Sequence, residues 1–189
     1  MPLHVKGSGQ AGIEGNIVFD PVGTNEYIKA ALAKLGWSKI RIPAEYEFLG
    51  KDVDFGKAGA IVEVQFSHYA FLPNNTLRSE LFFKAGTQFA GHSTNVVVIV
   101  TKAQMFPASN SSLYYEQAVK QLTALAQNKV FDVPIRLVGL FEPKNQIVSV
   151  KWTVYEKPTS RTIVTQENRQ CHIKSVLPAR SRYILQLVP

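Results

Sequence analysis

Hydrophobic residues change their spacing along this chain, and the changes mark its elements. Tyr27, Ile28, Ala31, Leu32 and Leu35 recur at helical intervals, which predicts a helix capped by Thr24 and stopped by Gly36. Ala60 to Phe66 is an apolar run interrupted only by Glu63 and Gln65, and it reads as a buried strand. A second helix, with Leu77, Leu81 and Phe82, is expected to open at Asn75 or Thr76. Asn95 to Thr101 is continuously apolar, the pattern of a strand covered on both faces. A third helix is expected from about Ser111 to Gln127, and a further buried strand from Pro134 to Phe141. Beyond Glu142 the pattern becomes short alternating strands at 146–155, 161–165, 172–176 and 183–188, whereas residues 1–15 read as loop. The fold class is therefore α/β, a mixed β-sheet flanked by helices, with a C-terminal β-rich subdomain.

Composition narrows this only a little. The chain has 189 residues, enough for one domain with a full core, and its 46% apolar content suits a soluble globule. No stretch approaches a membrane span and no secretory leader is legible, so a cytoplasmic protein with no membrane partner is expected. A single cysteine, Cys171, excludes an internal disulfide and a thiolate metal cage. The net charge of +7 is concentrated at the end: Lys144 to Pro189 holds eight Lys or Arg against two Glu. Such a surface attracts nucleic acid largely without regard to its sequence.

The chemistry lies in Asp54 to Gln65. If Ala58-Gly59 forms a two-residue turn, Asp54 faces Glu63 and Asp52 faces Gln65. Glu63 and Gln65 then share one face of their strand, opposite to Val62, Val64 and Phe66. Facing carboxylates destabilise a hairpin, and a hard divalent cation between them removes the repulsion. The pattern reads as a metal site.

That arrangement resembles the catalytic core of the PD-(D/E)XK nucleases, with Asp54 and Glu63 at the acidic positions, Val53 in place of the proline and Gln65 in place of the lysine. The glutamine variant, together with further blocks, points to one branch. These blocks are Phe19-Asp-Pro-Val-Gly-Thr-Asn25, Phe48-Leu-Gly-Lys-Asp-Val-Asp-Phe-Gly-Lys57, Val62-Glu-Val-Gln-Phe-Ser67, Asn74-Asn-Thr-Leu-Arg-Ser-Glu-Leu-Phe82, Met105-Phe-Pro-Ala-Ser-Asn-Ser-Ser-Leu-Tyr-Tyr-Glu-Gln-Ala118 and Val130-Phe-Asp-Val-Pro-Ile-Arg-Leu-Val-Gly-Leu140. On them the chain is identified as a member of the type II restriction endonuclease BglII family, over most of residues 1 to 165.

The resemblance implies a restriction-endonuclease-like core over residues 1–142 and a basic β-rich extension over 143–189. It implies a Mg²⁺-dependent type II endonuclease that hydrolyses double-stranded DNA at a six-base palindrome with a GATC centre, AGATCT or a related site, leaving 5′-phosphates. Asp54 and Glu63 would ligate the metal with the main-chain carbonyl of Val64, since hard cations favour oxygen. Gln65 completes the catalytic set; its amide takes up no proton, so it orients the attacking water. Ser67, His68, Arg78, Asn110, Ser111, Ser160 and Arg161 match DNA-contacting positions. His68 stands where the family has asparagine, so either it reads a base by different bonds or the role has moved elsewhere. Arg78 is expected on an exposed helix face, and Thr159 stands where the family has a tyrosine. A two-fold site implies a homodimer and, in the cell, a partner DNA methyltransferase as functional counterpart. Family members also carry a helix upstream of the segment matching Met1 to Lys6, which this chain either lacks or has lost to an internal start. Two other readings remain: a catalytically decayed DNA-binding protein of the same fold, and a repair-type nuclease.

Overall fold

Among the described residues the apolar runs become two five-stranded sheets and a small hairpin, accompanied by three α-helices. The computed structural model describes residues 1–108, 112–157, 160–176 and 183–189. In chain order the strands and helices are β1 (Leu3–Gly7), β2 (Ile17–Phe19), α1 (Pro21–Lys34), β3 (Ser38–Arg41), a short 3-10 turn (Ala44–Leu49), β4 (Asp52–Lys57) and β5 (Ala60–Val64). There follow α2 (Phe71–Lys84), β6 (Gln88–Phe89), β7 (His92–Ser93), β8 (Val96–Lys102), α3 (Tyr115–Gln127), β9 (Ile135–Leu140), β10 (Ile147–Tyr155), β11 (Ile163–Ser175) and β12 (Tyr183–Val188). The chain divides into two compact units, one of Met1–Ile28, Ala103–Ser112 and Phe141–Pro189, the other of Lys29–Lys102 and Leu113–Leu140.

The first unit holds the sheet β12-β11-β10-β1-β2. Residues 1–15 are thus not all loop: β1 pairs in parallel with β10, Leu3 beside Val150 and Val5 beside Trp152. Leu3, Val5, Val18, Val150, Cys171 and Ile173 are buried. The two short strands expected at 161–165 and 172–176 are one long strand, β11, bonded to β10 along most of its length. The cap of α1 is Asp20, not Thr24: its Oδ1 accepts the Val22 N–H at 3.1 Å, and Pro21 sits at the first helical position, where no N–H is needed. Thr24 lies inside the helix and bonds back to the Asp20 carbonyl at 2.8 Å.

The second unit holds β3-β4-β5-β8-β9, antiparallel from β3 to β5 and parallel from β5 to β9. Ile42, Val53, Ile61, Leu72, Phe82, Val97, Ile99, Leu113 and Leu122 form its core. β8 is the interior, largely buried strand expected of its apolar run. β9 is not: it is an edge strand, with Arg136 and Val138 exposed, because an apolar run alone does not tell centre from edge. α2 opens at Phe71, four residues before the expected start, since Pro73 is tolerated in the first turn. Its buried side is Leu72, Thr76, Ser79 and Phe82, and the expected Leu77 and Leu81 face solvent. No helix among the described residues is long and apolar enough to cross a membrane.

Candidate active site

The turn between β4 and β5 forms as its residues require. Ala58 and Gly59 have φ of 47° and 82°, the positive pair that a two-residue hairpin turn needs. Asn95 holds the turn, its backbone N–H bonding the Gly59 carbonyl at 2.9 Å. The resulting register pairs Lys57 with Ala60, Gly56 with Ile61 and Phe55 with Val62. Extended by one residue it faces Asp54 to Glu63, as the spacing predicts. Asp54 is exposed, and its Oδ2 accepts the Val64 N–H at 2.8 Å. The paired ladder of β4 and β5 stops short of Asp52 and Gln65. Asp52 pairs with Arg41 across β3 and forms an ion pair with Lys39 at 2.6 Å.

Glu63 and Gln65 both turn inward, with 5% and 3% of their surface exposed. Burial pushes the Glu63 carboxyl up to about 7; the Asp54 charge adds to the rise, and the Arg78 guanidinium opposes it. Arg78 lies on α2 and is 9% exposed, so the expected exposed position does not hold. Its Nη2 donates to Glu63 Oε1, and its Nη1 donates to the Leu49 carbonyl at 3.2 Å. A buried acid with a second acid beside it calls for positive charge, which Arg78 supplies only in part. The donors are hard oxygens, and Asp54 and Glu63 fit Mg²⁺, which typically takes one or two carboxylates and keeps several waters. Among the described residues no cluster of three His, Cys, Asp or Glu gathers, so a metal here would draw its remaining ligands from backbone, water or substrate.

Gln65 is held at both ends. Its Nε2 donates to the His68 carbonyl at 3.2 Å, and its Oε1 accepts from Asn75 Nδ2 at 2.6 Å. The carbonyl can only accept, so the orientation of the amide is fixed by chemistry. Asn75 was missed as a site residue; its only signal was its place in the Asn74–Phe82 block, where it reads as a helix start.

His68 is exposed, with its ring stacked on Tyr69 at 4.7 Å and edge-on to Phe71 at 6.2 Å. Its Nδ1 accepts the Ala70 N–H at 3.2 Å, which leaves Nε2 as the donor that the ring presents outward. Ser67 is exposed beside it, and its carbonyl accepts the Leu113 N–H at 2.8 Å. Ser160 and Arg161 belong to the first unit; Ser160 Oγ accepts the Thr162 N–H at 2.9 Å and Arg161 is exposed. Asn110 and Ser111 lie outside the described residues, as does Thr159.

A hairpin with one exposed and one buried acid, followed by a clamped glutamine on a strand that continues into a parallel sheet, defines an endonuclease-like site. The family model for restriction endonuclease BglII/BglIII matches residues 3–140. Type II restriction enzyme BglII of Bacillus subtilis is 54% identical over 169 residues, 88% of this chain and 76% of that protein. A crystal structure of restriction endonuclease BglII complexed with a DNA 16-mer matches with a TM-score of 0.94 at 48% identity, covering 100% of this chain and 87% of that one. The structure of free BglII matches with a TM-score of 0.74 at 47% identity, over 100% of this chain and 85% of that one. The chain belongs to the BglII/BglIII restriction endonuclease family, and is an enzyme of that class.

Proposed function

We propose that this protein cleaves double-stranded DNA at a six-base palindrome with a GATC centre, AGATCT or a related site, in a Mg²⁺-dependent hydrolysis that leaves 5′-phosphates. The observation that carries the proposal is the facing of Asp54 to buried Glu63, with Gln65 clamped two residues on. Support for DNA as substrate comes from the relative that was crystallised with a DNA 16-mer and from the net charge of +7.

Asp54, Glu63 and the Val64 carbonyl would hold the metal. When bound, it supplies positive charge to the phosphate oxygens and makes water a better nucleophile. Gln65 has no basic group, so the proton of the attacking water leaves to a phosphate oxygen or to solvent. The amide instead fixes the direction of the water's approach, and Asn75 and the His68 carbonyl fix the amide. Ser67 and His68 reach base edges, Ser160 and Arg161 approach the duplex, and Asn110 and Ser111 act in the same reading. Nε2 of His68 offers a donor, which suits the acceptors at a guanine or adenine N7 edge. The enzyme works as a cytoplasmic homodimer, one active site per strand, with host DNA protected by a partner methyltransferase.

The test is digestion of a fully sequenced, unmethylated phage-sized DNA with Mg²⁺, followed by sequencing of the fragment ends. Ends sharing one GATC-centred palindrome, lost in Asp54→Ala, are expected. Smeared or end-trimmed products point to a repair-type nuclease. Binding without Mg²⁺-dependent cleavage points to a decayed binder.

A further inference from the structure

Arg78 occupies a seat made for it. The guanidinium lies against the Leu49–Gly50 backbone, where a Cβ on Gly50 would stand 2.7 Å from Nη1. Gly50 has φ of 125°, a conformation that side-chain-bearing residues rarely adopt. Nη1 bonds the Leu49 carbonyl at 3.2 Å, Nη2 bonds Glu63 Oε1, and Nε has no partner among the described residues. Arg78 thus grips one oxygen of Glu63 from the protein side. No hydrogen bond from a described residue takes the other oxygen, Oε2.

A buried ion pair of this kind is costly to break, because the partner left behind is an uncompensated charge in a poorly solvated place. Its position matters more than its stability here. The guanidinium is the nearest described side-chain cation bonded to either of the acids, and it shares the charge that a divalent ion would claim. We propose that Arg78 is a positioning residue that serves as the built-in counter-cation of Glu63: it aims the carboxylate in the metal-free protein and, by sharing its charge, sets how tightly the site binds a divalent cation. The inference rests on the reading of Asp54 and Glu63 as metal ligands.

Two effects compete when Arg78 is removed. Glu63 loses an anchor, which costs side-chain entropy on metal binding. The site also loses a positive charge a few ångströms from the incoming ion, and at such range inside a protein the charge effect is the larger. Divalent cations should therefore bind more tightly without Arg78, not less.

The experiment titrates Ca²⁺ into the DNA-free protein at pH 8.5 by calorimetry, comparing native protein, Arg78→Met and Arg78→Lys. Arg78→Met is expected to bind Ca²⁺ about tenfold more tightly than native, and Arg78→Lys, which restores the charge, to stay within about threefold. In parallel, the Arg78 side-chain N–H resonance of ¹⁵N-labelled native protein should shift as Ca²⁺ saturates the site. Equal or weaker binding by Arg78→Met overturns the inference. So does an Arg78 resonance that saturating Ca²⁺ leaves unmoved, a result that stands even if Arg78→Met fails to fold. Native protein that takes up no Ca²⁺ overturns the metal-site reading and the inference with it; native binding that Arg78→Met does not tighten overturns the inference alone.

Discussion

Lys102 ends the interior strand β8 with none of its surface exposed, and burial of its ammonium should make the stability of the fold depend on pH. The Nζ sits 4.1 Å from the centre of the Tyr114 ring and 3.4 Å from the Leu113 carbonyl. Burial lowers its pKa from the ordinary 10.5 to about 8, against a smaller opposing pull from Glu116. Since the folded value lies below the unfolded one, the unfolded chain holds more protons at this site between about pH 8 and 10.5. Stability from Lys102 therefore rises with pH across that window, and below pH 8 the fold carries the whole penalty. At about 1.4 kcal/mol per pH unit the penalty is roughly 3 kcal/mol. Lys102→Met keeps the unbranched apolar stem and removes the charged terminal group, while losing a cation–π contact worth about 1 kcal/mol.

The net expectation is that Lys102→Met is more stable than native by about 2 kcal/mol at pH 7, with the advantage shrinking as pH rises to 10. Urea unfolding at pH 7, 8, 9 and 10, native and variant side by side, measures this. Taking the difference is essential, because burial raises the pKa of Tyr114, Tyr155 and Cys171, and those groups oppose stability as pH climbs. A native-to-variant difference that stays constant from pH 7 to 10 would refute the reasoning. It would mean that Lys102 keeps its proton in the fold and that its surroundings solvate it fully.

Three substitutions probe the rest of the second unit. Gly50→Ala forces a side chain into positive φ and against Arg78 Nη1; it should lower unfolding free energy by about 1–3 kcal/mol, read from the urea midpoint. Asn75→Ala frees the Gln65 Oε1 and should slow single-turnover cleavage about tenfold or more, with gel-shift affinity for DNA in Ca²⁺ unchanged; Asn75→Asp, which cannot donate, should be worse. His68→Asn adds an acceptor beside the donor, and should change the relative cleavage of sites differing at one base pair by about tenfold, read from fragment ends.

The hairpin was legible because turn length fixes register: Ala58-Gly59 allows one pairing, and that pairing sends Asp54 to Glu63. β8 was legible because seven consecutive buried or half-buried positions leave few alternatives. What failed depended on distant partners. β1 has too few residues for a pattern, and its partner β10 begins at Ile147, so nothing near Leu3 announces the pairing. For α2 the sequence favours Leu77, Leu81 and Phe82; Phe82 is buried as expected, but the core takes it together with Leu72 and Ser79 and leaves Leu77 and Leu81 outside. Once that stripe is chosen, Arg78 is carried inward, where sequence alone places an arginine in solvent. Asn75 escaped for a similar reason. An asparagine near a helix start reads as a cap, and its hold on Gln65 exists only after α2 has been laid beside β5.

The placing of Arg78 bears on why a glutamine can stand where the wider superfamily has lysine. Two ionised acids and one lysine on the strand carry a net charge of one negative unit. Asp54, Glu63 and Arg78 carry the same net charge, but the cation now comes from a helix and is bonded to Glu63. The charge balance that lets the acids coexist is kept. The charge that would face the phosphate is not. A neutral amide clamped by Asn75 and the His68 carbonyl leaves only orientation to be supplied at that position. If a divalent ion is bound as proposed, charge neutralisation at the phosphorus would fall mainly on it, so cleavage by this site should depend more steeply on metal than cleavage by a site that keeps a strand lysine. Restoring that lysine by Gln65→Lys tests the point. With Arg78 in place the site would hold two cations for two acids, and Ca²⁺ binding should weaken by at least about tenfold relative to native. If Gln65→Lys binds Ca²⁺ as tightly as native, Arg78 and the residue at position 65 do not share one charge balance.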